Sequence, residues 1–312
     1  MRRRSTPYIS VFLVTFIMFS FLFGCSGKAK DVSEASASDG KKRKSTLQIL
    51  SPQASGSVVY GNDIVSIDAS NTGNGYVMVQ YKGTVGKVKL RITIPNGTIY
   101  TYTLRGSSYE TFPLTGDSGA YHMEVLEHVK DNSYAIAFSQ DMDVTITNEF
   151  DPFLYPNQYV WFTEDSNAVK LGKKLSDQSS DDLDYVKNVY HYIIDNVTYD
   201  KKKAENTPTD YLPDLDDTLD TGKGICFDYA SLMAAMLRSQ SIPTKLEIGY
   251  SGEAYHAWVS VYIKGKGWID NIIQFDGKNW SLMDPTLAAN NSTKAVGKYI
   301  GDGSNYIVKY TY

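Results

Sequence analysis

Gly224-Ile225-Cys226-Phe227-Asp228-Tyr229-Ala230 is the stretch on which the reading of this chain turns. It follows a polar, acidic loop at 205–221 and opens a run in which Tyr229, Ala230, Met233, Ala234, Met236 and Leu237 form an apolar helical face, with Pro243 beyond its end. Cys226 therefore falls in or just before a first turn. Backbone N–H groups there lack intrahelical partners, and the positive end of the helix dipole favours thiolate over thiol. A small inert residue packing the helix start would fit the same position. Two later stretches favour the reactive reading. Tyr255-His256-Ala257-Trp258-Val259-Ser260-Val261-Tyr262 reads as a strand with His256 near its beginning. Trp280-Ser281-Leu282-Met283-Asp284-Pro285 reads as a strand ending in a carboxylate. An imidazole beside a thiolate forms the ion pair and then acts as general acid. A carboxylate behind that imidazole fixes its tautomer and supports the imidazolium. Asp270 and Asp276 compete with Asp284 on spacing, but both lie in the turn-rich stretch 265–277 and read as solvated.

Taken together, Gly-x-Cys-x-Asp-Tyr-Ala, the Ile242-Pro243 that follows the helix, His256-Ala257-Trp258 and Trp280-x-x-Met283-Asp284-Pro285-Thr286 resemble the transglutaminase-like superfamily. The resemblance implies a papain-like fold, in which a Cys-bearing helix packs on an antiparallel sheet bearing His and Asp. Cys226, His256 and Asp284 would then be the catalytic set, in that order. It also implies acyl transfer through a Cys226 thioester. Hydrolysis of an amide, as in a peptidase, is favoured over crosslinking because bacterial relatives are more often hydrolytic. One departure is Ser241, where the family has Gly before Ile-Pro; it reads as a turn adjustment.

A weaker likeness reaches back through 182–197 and Val197-Thr198-Tyr199-Asp200, which would start the domain near 155. Leu183, Val186, Val189, Tyr190, Ile193, Ile194 and Val197 give that segment one apolar stripe, with His191 off it. An oxyanion side chain is missing from the pattern, because no Gln, Asn or Trp occurs between 214 and 222. Tyr199 or Asn196 could reach over from the preceding helix end. Such a donor can be worth roughly 10²–10³ in rate. Its absence supports an alternative reading: a catalytically silent cell-surface module that binds peptide or wall polymer.

Upstream the chain changes character. Arg2, Arg3 and Arg4 precede an apolar run at 9–23, a secretory signal pattern. Its end, Leu22-Phe23-Gly24-Cys25, resembles a lipobox, so 1–24 reads as a lipoprotein signal peptide and Cys25 as the lipidated residue. An uncleaved signal anchor is the other reading, and both place the chain beyond residue 25 outside the cytoplasm. With Cys25 so used, Cys226 has no intrachain partner among only two cysteines, and an unpaired thiol in an oxidising compartment points to chemistry. Residues 25–46, rich in Ser, Ala, Lys and Gly, read as a flexible tether whose basic run Lys41-Lys42-Arg43-Lys44 is solvated, with contact to anionic membrane or wall polymer as the other reading.

From 47 to 150 the hydrophobic period is two. Val88, Leu90, Ile92 and Ile94 alternate with Lys87, Lys89, Arg91 and Thr93, and Pro95-Asn96-Gly97 turns the chain into 98–104 as a hairpin. Further short strands are expected at 58–60, 64–68, 76–81, 120–126, 134–138 and 144–146. The set resembles an immunoglobulin-like β-sandwich, with His122 and His128 as surface or structural residues. The fold class is therefore α+β: a β-sandwich at 47–150, then a transglutaminase-like domain at 151–312. A length of 312 residues suits two such domains.

The formal charge of −4 becomes more negative once the three arginines are removed, which disfavours nucleic acid as a partner. The expected partners are a protein or peptide substrate, with cell-wall peptide among the options, and the membrane through lipid on Cys25. No cofactor and no metal is implied: the four histidines are dispersed, and no calcium loop or nucleotide-binding glycine pattern appears.

Overall fold

The computed structural model describes residues 42–270, 273–275, 280–282 and 306–312. Lys41–Tyr312 forms one compact unit. Its first part is built on strands, with one 3-10 turn at Thr72–Asn74: β1 (Val59–Gly61), β2 (Val65–Asp68), β3 (Tyr76–Tyr81), β4 (Val88–Thr93), β5 (Ile99–Leu104), β6 (Glu110–Pro113), β7 (Gly119–Lys130) and β8 (Ser133–Val144). These make two four-stranded antiparallel sheets, ordered β1-β2-β3-β6 and β5-β4-β7-β8. The alternation at 88–93 decides which face is dry. Val88, Leu90 and Ile92 are buried while Lys89, Arg91 and Thr93 stay half-exposed, and Leu90 lies opposite both Tyr102 and Val125. Ile67, Val77 and Val79 from the other sheet join the same apolar layer. The turn at 95–97 forms as expected, with Gly97 in the left-handed region at φ 87°.

Two differences from the sequence reading are instructive. The expected short strands at 120–126 and 134–138 are parts of one long hairpin of two 12-residue strands, paired from Gly119–Val144 to Lys130–Ser133 across two bulges. Pairing carries β8 through exposed stretches that show no hydrophobic signal of their own. The expected free tether also fails over its described end, 42–46. The side chain of Arg43 is only 6% exposed. Its Nε donates to Asp182 at 2.7 Å, its Nη2 to the Gln240 carbonyl at 3.0 Å, and the guanidinium lies 4.9 Å from the Tyr185 ring centre. Thr46 Oγ1 bonds the same carbonyl at 2.9 Å. A basic run reads as solvated when its partners lie more than 130 positions downstream.

The second part contains α1 (Asn167–Asp177), α2 (Asp182–Asn196), β9 (Thr198–Tyr199), α3 (Lys201–Asn206), α4 (Leu215–Thr221), β10 (Lys223–Gly224) and α5 (Cys226–Arg238). There follow β11 (Thr244–Ser251), β12 (Ala254–Ile263), β13 (Gly267–Ile269), the pair β14 (Ile273–Phe275) and β15 (Trp280–Leu282), and β16 (Tyr306–Thr311). One antiparallel sheet runs β13-β12-β11-β16. Helix α5 is the centre of this part. Every residue from Asp228 to Arg238 is buried, so tertiary packing on all sides holds it rather than helix propensity. Ala257, Val259 and Val261 of the sheet share its core with Tyr185, Val189 and Ile193 of α2. Tyr185 lay outside the apolar stripe read from sequence, yet it is fully buried because its hydroxyl donates to Met236 O at 2.8 Å.

The end of α5 is a Schellman turn. Ile242 N donates to Leu237 O at 3.1 Å and Ser241 N to Arg238 O at 3.0 Å. Ser241 takes the left-handed position at φ 60° that usually holds Gly, which gives its departure from the family pattern a physical meaning. Arg238 in the last turn is buried among carbonyls. Nε and Nη2 donate to Thr244 O at 3.0 and 2.8 Å, Nη2 also to Tyr312 O at 2.8 Å, and Nη1 to Tyr155 O at 2.9 Å. Burial lowers its pKa to about 9. The first and second parts meet at a tyrosine cluster. Tyr312 packs edge-on against Tyr100, Tyr102 and Tyr159 at 5.4, 6.0 and 4.4 Å, and the Tyr100 hydroxyl accepts from Thr311 N at 3.1 Å.

Candidate active site

The site is built from the start of α5. Parallel pairing of β10 with β9 brings the chain before Cys226 against the end of α2. Thr198 N donates to Gly222 O at 2.8 Å and Asp200 N to Gly224 O at 2.9 Å. Gly224 is required by a close approach: a Cβ there would stand 2.8 Å from Asp228 Cβ. Asp228, fully buried, reaches back to accept from Ile225 N at 2.8 Å, one half of a capping box. Lys203 Nζ of α3 pairs with its Oδ2 at 2.8 Å, and the Tyr211 hydroxyl donates to its Oδ1. Burial first, then the bond to Asp228 and its charge, raises the Tyr211 pKa. Tyr229 completes the brace, donating to Val197 O at 2.6 Å. The sequence pattern thus has a physical content: Gly makes room, Asp caps, Tyr locks the helix to its neighbour, and Cys226 is left at the first helical position.

Cys226 is half-buried and lines a pocket of about 240 Å³ together with Tyr199, Phe227, Ile248, Tyr255 and His256. His256 lies on β12 opposite Gly249 of β11. That glycine is also forced, because a Cβ would meet Ile307 O at 2.0 Å where β16 closes in beside a bulge. The His256 ring is near-parallel to Trp258, with centroids 6.2 Å apart. Trp258 is buried, and its Nε1 donates to Glu247 Oε2 at 2.8 Å. Ser260 Oγ donates to the same oxygen at 2.7 Å. The Glu247 pKa is raised, first by burial, with these two hydrogen bonds opposing.

The structure therefore brings two of the three expected residues, Cys226 and His256, to the wall of one pocket. Asp284 and its rival Asp276 lie outside the described residues, as does Cys25. The other rival, Asp270, is exposed at the end of β13 and lines no part of this pocket. Tyr199 lines the pocket, whereas the Asn196 amide donates to Tyr192 O at 2.8 Å within its own helix. His122 and His128 are surface residues, bonded to Asp141 at 2.6 Å and to Asp131 O at 2.9 Å. Sequence reading passed over Tyr255. Its pKa is raised by burial, then by Tyr310 and Tyr250, and also by Cys226. It immediately precedes His256, and that adjacency was the available signal.

Residues 169–271 match the transglutaminase-like superfamily, and the chain carries a domain of that superfamily. The match includes Cys226 and His256. The uncharacterised protein YebA of Bacillus subtilis is 22% identical over 189 residues, covering 53% of this chain; the chain spans only 25% of YebA. Three solved structures are similar at low TM-score. The periplasmic domain of TgpA from Pseudomonas aeruginosa aligns at TM-score 0.34 and 17% identity, over 73% of this chain and 94% of that domain. A candidate cysteine protease from Cytophaga hutchinsonii aligns at 0.33 and 18%, over 73% and 68%. Red sea bream transglutaminase aligns at 0.27 and 12%, over 68% and 48%.

Proposed function

We propose that the chain is an extracytoplasmic thiol enzyme that transfers the acyl group of an amide to water. The observation that carries this is the shared pocket of Cys226 and His256, with the Cys at a braced helix start. Cys226 Sγ attacks the amide carbonyl, forming an S–C bond. The C–N bond breaks and the amine leaves with a proton from His256. Water then attacks the thioester, giving its proton to His256 as the C–O bond forms and the S–C bond breaks. Asp284 orients the imidazole in this scheme. A lysine-type amine in place of water would give a crosslink; the same residues serve both outcomes.

The substrate is a protein or peptide, with cell-wall peptide among the options. The arginines at 2–4 and the apolar run at 9–23 support export and a lipid on Cys25 that holds the protein at the cell membrane. The two N-terminal sheets are read as an immunoglobulin-like module over 47–150, carried beside the transglutaminase-like domain at 151–312.

The direct test follows amide turnover by the purified protein, with intact-mass detection of the acyl-enzyme. Replacing Cys226 with Ala should lower turnover on the order of 10⁴-fold or more. Wild-type protein no faster than Cys226→Ala would defeat the enzymatic reading and leave a binding module. Adding excess primary amine separates the two acceptors, since a hydrolase continues to release free acid. For the anchor, Cys25→Ser should shift the protein from the membrane fraction to the medium.

A further inference from the structure

Three large apolar side chains stand in solvent beside the pocket. Tyr255 is 60% exposed, Tyr250 39% and Ile307 54%. They are directly opposed across three neighbouring strands: Tyr250 of β11 pairs with Tyr255 of β12 on one side and with Ile307 of β16 on the other. Directly opposed residues share a sheet face, and the Tyr250 and Tyr255 rings meet edge-on at 5.5 Å. With strands about 4.8 Å apart, the stripe is roughly 10 Å long. That matches the span from residue i to i+3 of an extended peptide. One end of the stripe is the pocket itself, because Tyr255 lines it with Cys226. Apart from Cys226 and His256, the described lining residues carry no ionisable group other than tyrosine hydroxyls. Aromatic and aliphatic side chains held partly in water at the mouth of a pocket gain by being covered, and covering them requires an apolar partner.

We infer that Tyr255, Tyr250 and Ile307 are the docking residues for the acyl side of the substrate, and that the favoured substrate is an extended peptide with a bulky apolar or aromatic side chain next to the carbonyl that Cys226 attacks. The inference rests on the thiol-enzyme reading of the Cys226 pocket. An acidic acyl side is disfavoured, since beyond the Cys226–His256 pair the described walls are largely apolar and offer no further cation to hold it.

The test is alkylation of Cys226 by acetyl-Phe, acetyl-Leu, acetyl-Gly and acetyl-Asp chloromethyl ketones, each rate divided by the iodoacetamide rate of the same variant. Wild-type protein should take the Phe and Leu probes about 10-fold or more faster than the Gly probe, with Asp slowest. Tyr255→Ala should bring the Phe/Gly ratio to within about threefold of unity, and Tyr250→Ala should lower it by a smaller factor. Equal rates for all four probes, or a Phe/Gly ratio that survives in both variants, would overturn the docking stripe while leaving the thiol enzyme standing. Protein that reacts with no probe until denatured would remove the thiol-enzyme reading, and the stripe with it.

Discussion

The two ends of α5 handle buried charge in opposite ways. At its start, Asp228 is paired with Lys203 and shared with Tyr211 and the Ile225 amide, and the residue two places before it, Cys226, remains half-open to a pocket. At its end, Arg238 is closed in on every side and directs its donors to main-chain carbonyls. One end is a braced platform for an accessible side chain; the other is a knot that gathers Tyr155, Thr244 and Tyr312. The contrast teaches that an accessible side chain can be placed by immobilising its neighbours rather than by burying it.

Breaking the first end should have the larger effect. Asp228→Ala strands Lys203 and leaves the Ile225 amide without its acceptor, so a loss of about 3–5 kcal/mol is expected in urea unfolding, with turnover falling alongside. Asp228→Asn should recover part of the stability, because it keeps an acceptor for Ile225. At the second end, Arg238→Met keeps the apolar stem and removes a desolvated charge, while three carbonyls lose their donor. The expected cost is about 2–3 kcal/mol, with Cys226 alkylation rates retained in the folded protein. Equal losses of reactivity from both substitutions would erase the distinction between the ends.

A third buried charge sharpens the comparison through pH. Glu247 binds protons more readily in the folded than in the unfolded chain, so folding is linked to proton uptake. The stability this group contributes is fully present below the ordinary carboxylate range and is lost as pH rises through its raised folded value. Glu247→Gln keeps an oxygen acceptor for Trp258 and Ser260 and cannot ionise. Its stability relative to wild type should therefore improve from pH 4 to pH 8 in urea melts. The smallest effect belongs to Ser241→Gly, which relieves a left-handed backbone position but loses the side-chain bond to Thr46 O. A gain of about 0.5–1 kcal/mol is expected, read as a rise of a few degrees in Tm.

Much of this arrangement was legible in the residues. The alternation at 88–94 and the Pro-Asn-Gly turn declared a hairpin, and the period-3.6 stripe at 182–197 declared α2, because local burial patterns repeat within the segment. Cys226 at a helix start and His256 near the start of a strand were readable from flanking glycines and strand formers. Asp228 stood in the motif, but its capping role and its partners were not legible, since Lys203 comes from the short helix α3 and Tyr211 from a loop with no periodicity. Arg43 and Arg238 gave no sign of burial: a guanidinium looks solvated until the carbonyls and carboxylate that satisfy it are assembled from distant parts of the chain. Tyr255 was hidden for the opposite reason, as one tyrosine among 24.

The clasp around Arg43 ties the start of the described chain to the rear of α5. Arg43, Thr46 and Gln48 bond to Gln240 and Ser239, just beyond the last turn of α5, and 13 helical residues separate that point from the thiol, about 20 Å along the axis. A pull applied at Arg43 would therefore be borne at the rear of the helix, away from the mouth of the pocket.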